Sequence, residues 1–172
     1  MKKPSAKFEY KTFSLGEQLT EEQKEYFKKY GVIHFKKFID SKTAEIFISE
    51  LTKIEKTWLE EGIEKVKGTP LKFGKDHEGN PMIQRMCFTN QFSHVLAELI
   101  RDPRLQLLIE LLAHYEGRIS EDEKDGLVFN HYINEPNSKF SQMGWHTDSP
   151  RDLFLGQKIL PMLNVGIHLD NC

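Results

Sequence analysis

A chain of 172 residues, 38% hydrophobic and 29% charged, is long enough to bury one sizeable core and is ordinary for a globular protein. Its formal net charge of −2 gives no electrostatic reason to expect nucleic acid or an anionic membrane as partner. No stretch approaches the roughly 18 apolar residues of a membrane span, and the basic N-terminus "MKKPSAKFEYKTF" has no apolar run behind it, so it is not a secretory signal. The two cysteines, Cys87 and Cys172, are far apart and match no zinc spacing, which fits reduced thiols in a cytoplasmic protein.

Along the chain, "TEEQKEYFKKYG" predicts a helix with both ends marked. Thr20 and Gln23 have capping-box spacing, and Gly31 suits the left-handed position after the last turn. "VIHFKKF" predicts a short strand. "DSKTAEIFISELTKIEKTWLEEG" predicts a long amphipathic helix, capped by Asp40 or Ser41 and ended by Gly62. Ala44, Phe47, Ile48, Leu51, Ile54 and Trp58 form its apolar stripe. Residues 63–80 are polar and carry Gly and Pro, so they read as a loop. "PMIQRMCF" reads as a strand, followed by helical stretches near 91–100 and 103–114, the second with Asp102 as cap and Pro103 in its first turn.

The second half changes character. "LVFNHYIN" (127–134) and "LPMLNVGIHLD" (160–170) are strand-like, and the segment between them is rich in turn formers. The expected organisation is therefore one domain over 1–172. Helix-rich support occupies 20–114 and the first core strands occupy 127–170, an α+β pattern. The chain stops at "HLDNC", at the start of a turn, where a further strand is expected to cover the open sheet edge. It reads as truncated at the C-terminus.

Three triplets carry a histidine and a carboxylate two residues apart: "HYE" at 114–116, "HTD" at 146–148 and "HLD" at 168–170. With seven histidines such a triplet arises by chance about one time in three, so context must sort them. On a strand, residues i and i+2 share a face roughly 7 Å apart and can converge on one ion. On a helix they point about 200° apart, which makes His114 and Glu116 poor chelators. Asp170 falls where a strand meets a turn, and a turn-forming Asp is the simpler reading. His146 and Asp148 have the best context: "MGW" before them excludes water, and "SPRD" after them opens a loop. One His and one carboxylate are two thirds of the facial triad that holds Fe(II). A solvated loop is the alternative. Along 163–169, Leu163, Val165, Ile167 and Leu169 form an apolar face; Asn164, Gly166 and His168 form a polar or small face suited to lining a cavity.

In order, "YGVIHFKKFID", "LVFNHYINEPNS", "GWHTDSP" and "PMLNVGIHLDNC" resemble the phytanoyl-CoA dioxygenase-like branch of the Fe(II)/2-oxoglutarate oxygenases, from about residue 20 to the end. The resemblance implies a double-stranded β-helix, a jelly-roll or cupin-like fold with flanking N-terminal helices. It implies that His146 and Asp148 are iron ligands. It also implies an Fe(II)- and 2-oxoglutarate-dependent dioxygenase that consumes O2 and hydroxylates a small organic substrate, an acyl-CoA or related acid being one class. The third ligand, a His, and the Arg that pairs with 2-oxoglutarate are expected after Cys172, so this stretch alone is expected to be inactive. Related halogenases carry a small residue in place of the carboxylate, so Asp148 favours hydroxylation.

From the same resemblance, Gln84 and His131 match cosubstrate contacts. By its alternation Gly166, with His168, is expected to face the cavity, and Gly166 is counted among the cosubstrate-binding positions with its role open. The alternatives are a solvated Gln84, with Arg85 competing for the role, and a His131 turned to the core. Trp145 reads as packing. Two other classes stay open: a non-catalytic cupin-like binding domain, or truncated inactive member, in which "HTD" is vestigial, and a metal-dependent cupin enzyme that needs no 2-oxoglutarate.

Overall fold

The computed structural model describes residues 8–113, 115–132, 154, 156 and 161–170. Strand β1 (Thr12–Phe13) leads to helix α1 (Glu21–Tyr30). Its capping box forms in full: the Gln23 N–H donates to Thr20 Oγ1 at 3.2 Å and the Thr20 N–H donates to Gln23 Oε1 at 2.9 Å. Gly31 ends the helix at φ 71°, donating to the Phe27 carbonyl at 2.7 Å. Strand β2 (His34–Phe35) pairs in parallel with β1, Thr12 opposite His34 and Phe13 opposite Phe35. The whole of "VIHFKKF" does not form a strand, because Lys37 takes φ 56° and turns the chain.

Helix α2 (Ser41–Glu60) is capped by Asp40, whose Oδ1 accepts the Thr43 N–H at 2.7 Å. Its buried residues are Ala44, Phe47, Leu51, Ile54 and Trp58, a strict alternation of three- and four-residue steps. Ile48 is 43% exposed and does not belong to the stripe as expected; one step from Phe47 is about 100° around the helix, enough to turn it to the edge. The helix ends in a Schellman motif, with Ile63 N–H on the Trp58 carbonyl at 2.9 Å and Gly62 N–H, at φ 65°, on the Leu59 carbonyl at 3.4 Å.

Residues 63–80, expected as loop, instead hold β3 (Lys65–Val66), β4 (Thr69–Pro70) and β5 (Lys72–Lys75). Lys67 at φ 49° and Gly68 at φ 81° make a two-residue hairpin turn whose twist matches its strands. The turn from β5 into β6 (Pro81–Met86) is organised by Asp76, whose Oδ1 accepts the N–H groups of Glu78 at 2.9 Å and Asn80 at 2.8 Å. The Gly and Pro residues that suggested a loop are hairpin punctuation.

Phe88, at φ 54°, turns the chain into a 3₁₀ turn (Thr89–Gln91), so helix α3 (His94–Ile100) begins at the Ser93 cap, later than expected. Helix α4 (Pro103–Leu107) starts at Asp102 as expected and tightens into a 3₁₀ segment (Leu108–Leu112) that ends at Ala113, φ 57°. Asp102 accepts the Arg104 N–H at 2.8 Å and its guanidinium at 2.6 Å. The Arg104 side chain holds the Asp102 carboxyl below the usual carboxylate range. A depressed folded-state pKa gives stability that is full above the unfolded value of about 4 and is lost as pH falls through the folded value. Asp102→Ala is therefore expected to cost about 1 kcal/mol at neutral pH. Urea midpoints of the two proteins should converge as pH is lowered below about 4.

Strand β7 (Phe129–Asn130) completes an antiparallel sheet in the order β5-β6-β7, with Arg85 opposite Asn130 and Met86 opposite Phe129. Helix α2 lies against β6, and the core between them contains Trp58, Ile83, Met86, Cys87 and Leu96. Each such apolar side chain contributes about 1.5–3 kcal/mol by leaving water. The architecture is mixed helix and three small sheets, with no closed barrel among the described residues.

Residues 161–170 were expected as a strand but form no ladder with the described residues. A strand exists only by pairing, and an alternating pattern does not supply the partner. Leu163, Ile167 and Leu169 pack against the core, whereas Val165 is 44% exposed, so the apolar face holds at three of its four positions. Among the described residues no helix is long and apolar enough to cross a membrane.

Candidate cosubstrate site

The site is built on β6 and its two neighbours. Strand β6 is irregular on its β5 side: Lys72 faces Arg85 but Phe73 faces Ile83, so Gln84 is an extra, bulged residue. On the other side the ladder runs true. Counting one step beyond Arg85 and Asn130 puts His131 directly opposite Gln84, and the His131 N–H donates to the Gln84 carbonyl at 2.8 Å. The chain thus brings two of the three expected cosubstrate residues together, although 47 positions separate them in sequence.

The Gln84 amide is the chemically unusual group. Its Oε1 is buried and, among the described residues, accepts no hydrogen bond. An unsatisfied buried acceptor costs about 1–3 kcal/mol, which a donor at that position recovers. His131 is exposed, its ring 5.9 Å from that of Phe129 two residues back on the same face. Gln84 is only partly exposed, so the fully solvated alternative is not what is found.

Arg85, the alternative to Gln84, is engaged in an ion pair. Its guanidinium donates to Asp125 Oδ2 at 2.9 Å, and Asp125 also accepts the Thr69 hydroxyl at 3.1 Å. This three-residue network ties the β4 hairpin and β6 to the turn before β7, where Lys124, Asp125 and Gly126 all take positive φ. Cys87 lies beside it, fully buried, and burial pushes its thiol up from the ordinary value.

Gly166 is exposed, and a Cβ built on it meets nothing within 4 Å. His168 on the same face is also exposed. The expected iron ligands His146 and Asp148, with Trp145 and the "HYE" histidine His114, lie outside the described residues. Among the described residues no three His, Cys, Asp or Glu side chains gather as a metal site.

Two residues that shape the site were not found in the sequence. Gly74, in "LKFGK", lies under the Gln84 side chain, and Glu55 Oε1 accepts the Ile83 N–H at 2.6 Å beside the bulge. The lone glycine in an apolar-polar run was a weak signal for close approach. Glu55 gave none, since it looks like any charged residue beside a helix stripe. Family models, curated proteins and solved structures give no match to this chain.

Proposed function

We propose that this chain carries the front part of an Fe(II)- and 2-oxoglutarate-dependent oxygenase that hydroxylates a small organic substrate in the cytoplasm. In this reading the β5-β6-β7 sheet belongs to a double-stranded β-helix supported by α1 and α2. The observation that carries it is the pair Gln84 and His131: the resemblance assigns both to the cosubstrate, they are hydrogen-bonded neighbours on adjoining chain segments, and among the described residues the buried Gln84 Oε1 accepts no hydrogen bond. An amide suits 2-oxoglutarate because its NH2 group offers two N–H donors to a carboxylate, which accepts only.

The roles follow from the donor chemistry. His146 and Asp148 supply an imidazole nitrogen and a carboxylate oxygen, a pair suited to Fe(II) that leaves positions for small ligands. The bound metal and 2-oxoglutarate supply the oxidising power. Gln84 and His131 orient the cosubstrate and satisfy its polar groups, while Met82 and Met86, both buried on the same strand, exclude water from that side. A buried free thiol at Cys87 fits a reducing compartment.

The resemblance puts the third ligand and an Arg beyond Cys172, so the test uses the complete gene product. Under anaerobic conditions, equilibrium dialysis should show 2-oxoglutarate retained with Fe(II) and not without it. Retention of neither ligand would favour a non-catalytic binding domain. Retention of Fe(II) alone would favour a cupin enzyme of another kind.

A further inference from the structure

We propose that Glu55 and Gly74 are positioning residues that hold the Gln84 amide in place, an inference that rests on Gln84 being a cosubstrate contact. Three observations converge on the same side chain. First, Gln84 is the extra residue of the β6 bulge, and a bulge turns a side chain away from the direction a regular ladder would give it. Second, next to the bulge the Ile83 N–H donates to Glu55 Oε1 at 2.6 Å, a carboxylate reaching across from α2. A hydrogen bond to an ionised acceptor is stronger than a neutral one, so this contact opposes the slip that would restore a regular ladder.

Third, a Cβ on Gly74 would stand 2.8 Å from Gln84 Cγ and 2.5 Å from Cδ, and nearer still to Nε2. No real Cβ tolerates such contacts. The backbone of Gly74 is not in the left-handed region, so its conformation does not call for glycine. Glycine within a strand weakens it, and here the space it leaves is filled by the Gln84 side chain lying across β5. Bulge, carboxylate and missing Cβ together fix where the amide points.

The test has two arms. In the first, the Gln84 side-chain amide resonance, identified by its disappearance in Gln84→Ala, is followed in labelled protein. It should move in Gly74→Ala and in Glu55→Ala, and stay near its native position in Glu55→Gln, which keeps an acceptor for the Ile83 N–H. In the second, 2-oxoglutarate binding to the Fe(II)-loaded complete gene product is measured. Gly74→Ala should weaken it about tenfold, the loss of one good hydrogen bond, and should weaken it no further in a Gln84→Ala background. An unmoved amide in Gly74→Ala overturns the proposal, as does an equal loss of affinity in both backgrounds. Unchanged affinity in Gln84→Ala also overturns it, yet leaves the oxygenase reading standing. If the native protein shows no Fe(II)-dependent binding, that reading falls, and the amide resonance alone decides whether Glu55 and Gly74 set the side chain.

Discussion

Alanine at His146 or at Asp148 should abolish Fe(II)-dependent consumption of 2-oxoglutarate by the complete gene product. Changing residues that merely support a metal ligand costs about 10–100-fold, so removal of a ligand itself should exceed that range. Alanine at His168 or Asp170 should leave iron binding largely intact, because a turn-forming Asp need not face an ion. Metal content after dialysis and succinate release would be measured on all four variants. Loss of iron in Asp170→Ala with retention in Asp148→Ala would move the site to the second triplet. The same assignment fixes the reaction type. As a ligand in the proposed site, a carboxylate at 148 would fill the position a halide needs and would lower the positive charge that attracts one. The unmodified protein should therefore yield a hydroxylated product even in high chloride; a chlorinated product would contradict Asp148 as a ligand.

The largest effect on stability is expected at Trp58. It is 3% exposed, meets Phe92 edge-on at 5.0 Å between ring centroids, and its carbonyl closes the C-terminal motif of α2. Trp58→Ala should cost about 3–5 kcal/mol through lost burial and the cavity left behind. That is a large share of the roughly 5–15 kcal/mol that holds a domain folded. Ile48→Ala, on the same helix but at the edge of the stripe, should change stability far less. Urea denaturation of both variants would show it, and equal losses would mean that α2 packs through a different face.

Features decided within a few residues were legible in the sequence. The Thr20 and Gln23 box, the Asp40 and Asp102 caps and the Gly31 and Gly62 stops all rest on contacts no more than five positions apart, and each forms as its residue types imply. What failed depends on partners far away. The hairpin at 65–70 was hidden because Lys-Gly gives the same signal in a loop as in a tight turn. The bulge at Gln84 is set by the Phe73 register, and the carboxylate beside it, Glu55, lies 28 positions before the Ile83 it binds. The pattern at 161–170 describes which residues turn inward, yet gives no strand among the described residues, because alternation does not provide a neighbour to bond with.

The candidate site divides the same way. Gln84 and His131 were chosen singly, from a resemblance to known oxygenases. That their backbones are neighbours follows only from the pairing of β6 with the segment after β7. Gly74 and Glu55 escaped notice because their contribution is to place another residue, and the space left by a missing Cβ has no signature in composition or period. Gly166 was chosen from alternation, which says which side of the segment a residue takes and not what stands opposite it.

The central claim is that this chain helps to couple 2-oxoglutarate to O2 at an iron held by His146 and Asp148. The most direct measurement is the stoichiometry of succinate formed to O2 consumed by the complete gene product with Fe(II), during a screen of acids, acyl thioesters and amino acids. The account predicts equal amounts of the two, dependent on Fe(II) and stimulated by a substrate that gains one oxygen atom. O2 uptake without succinate, or no uptake with any compound in the presence of bound iron, would contradict it.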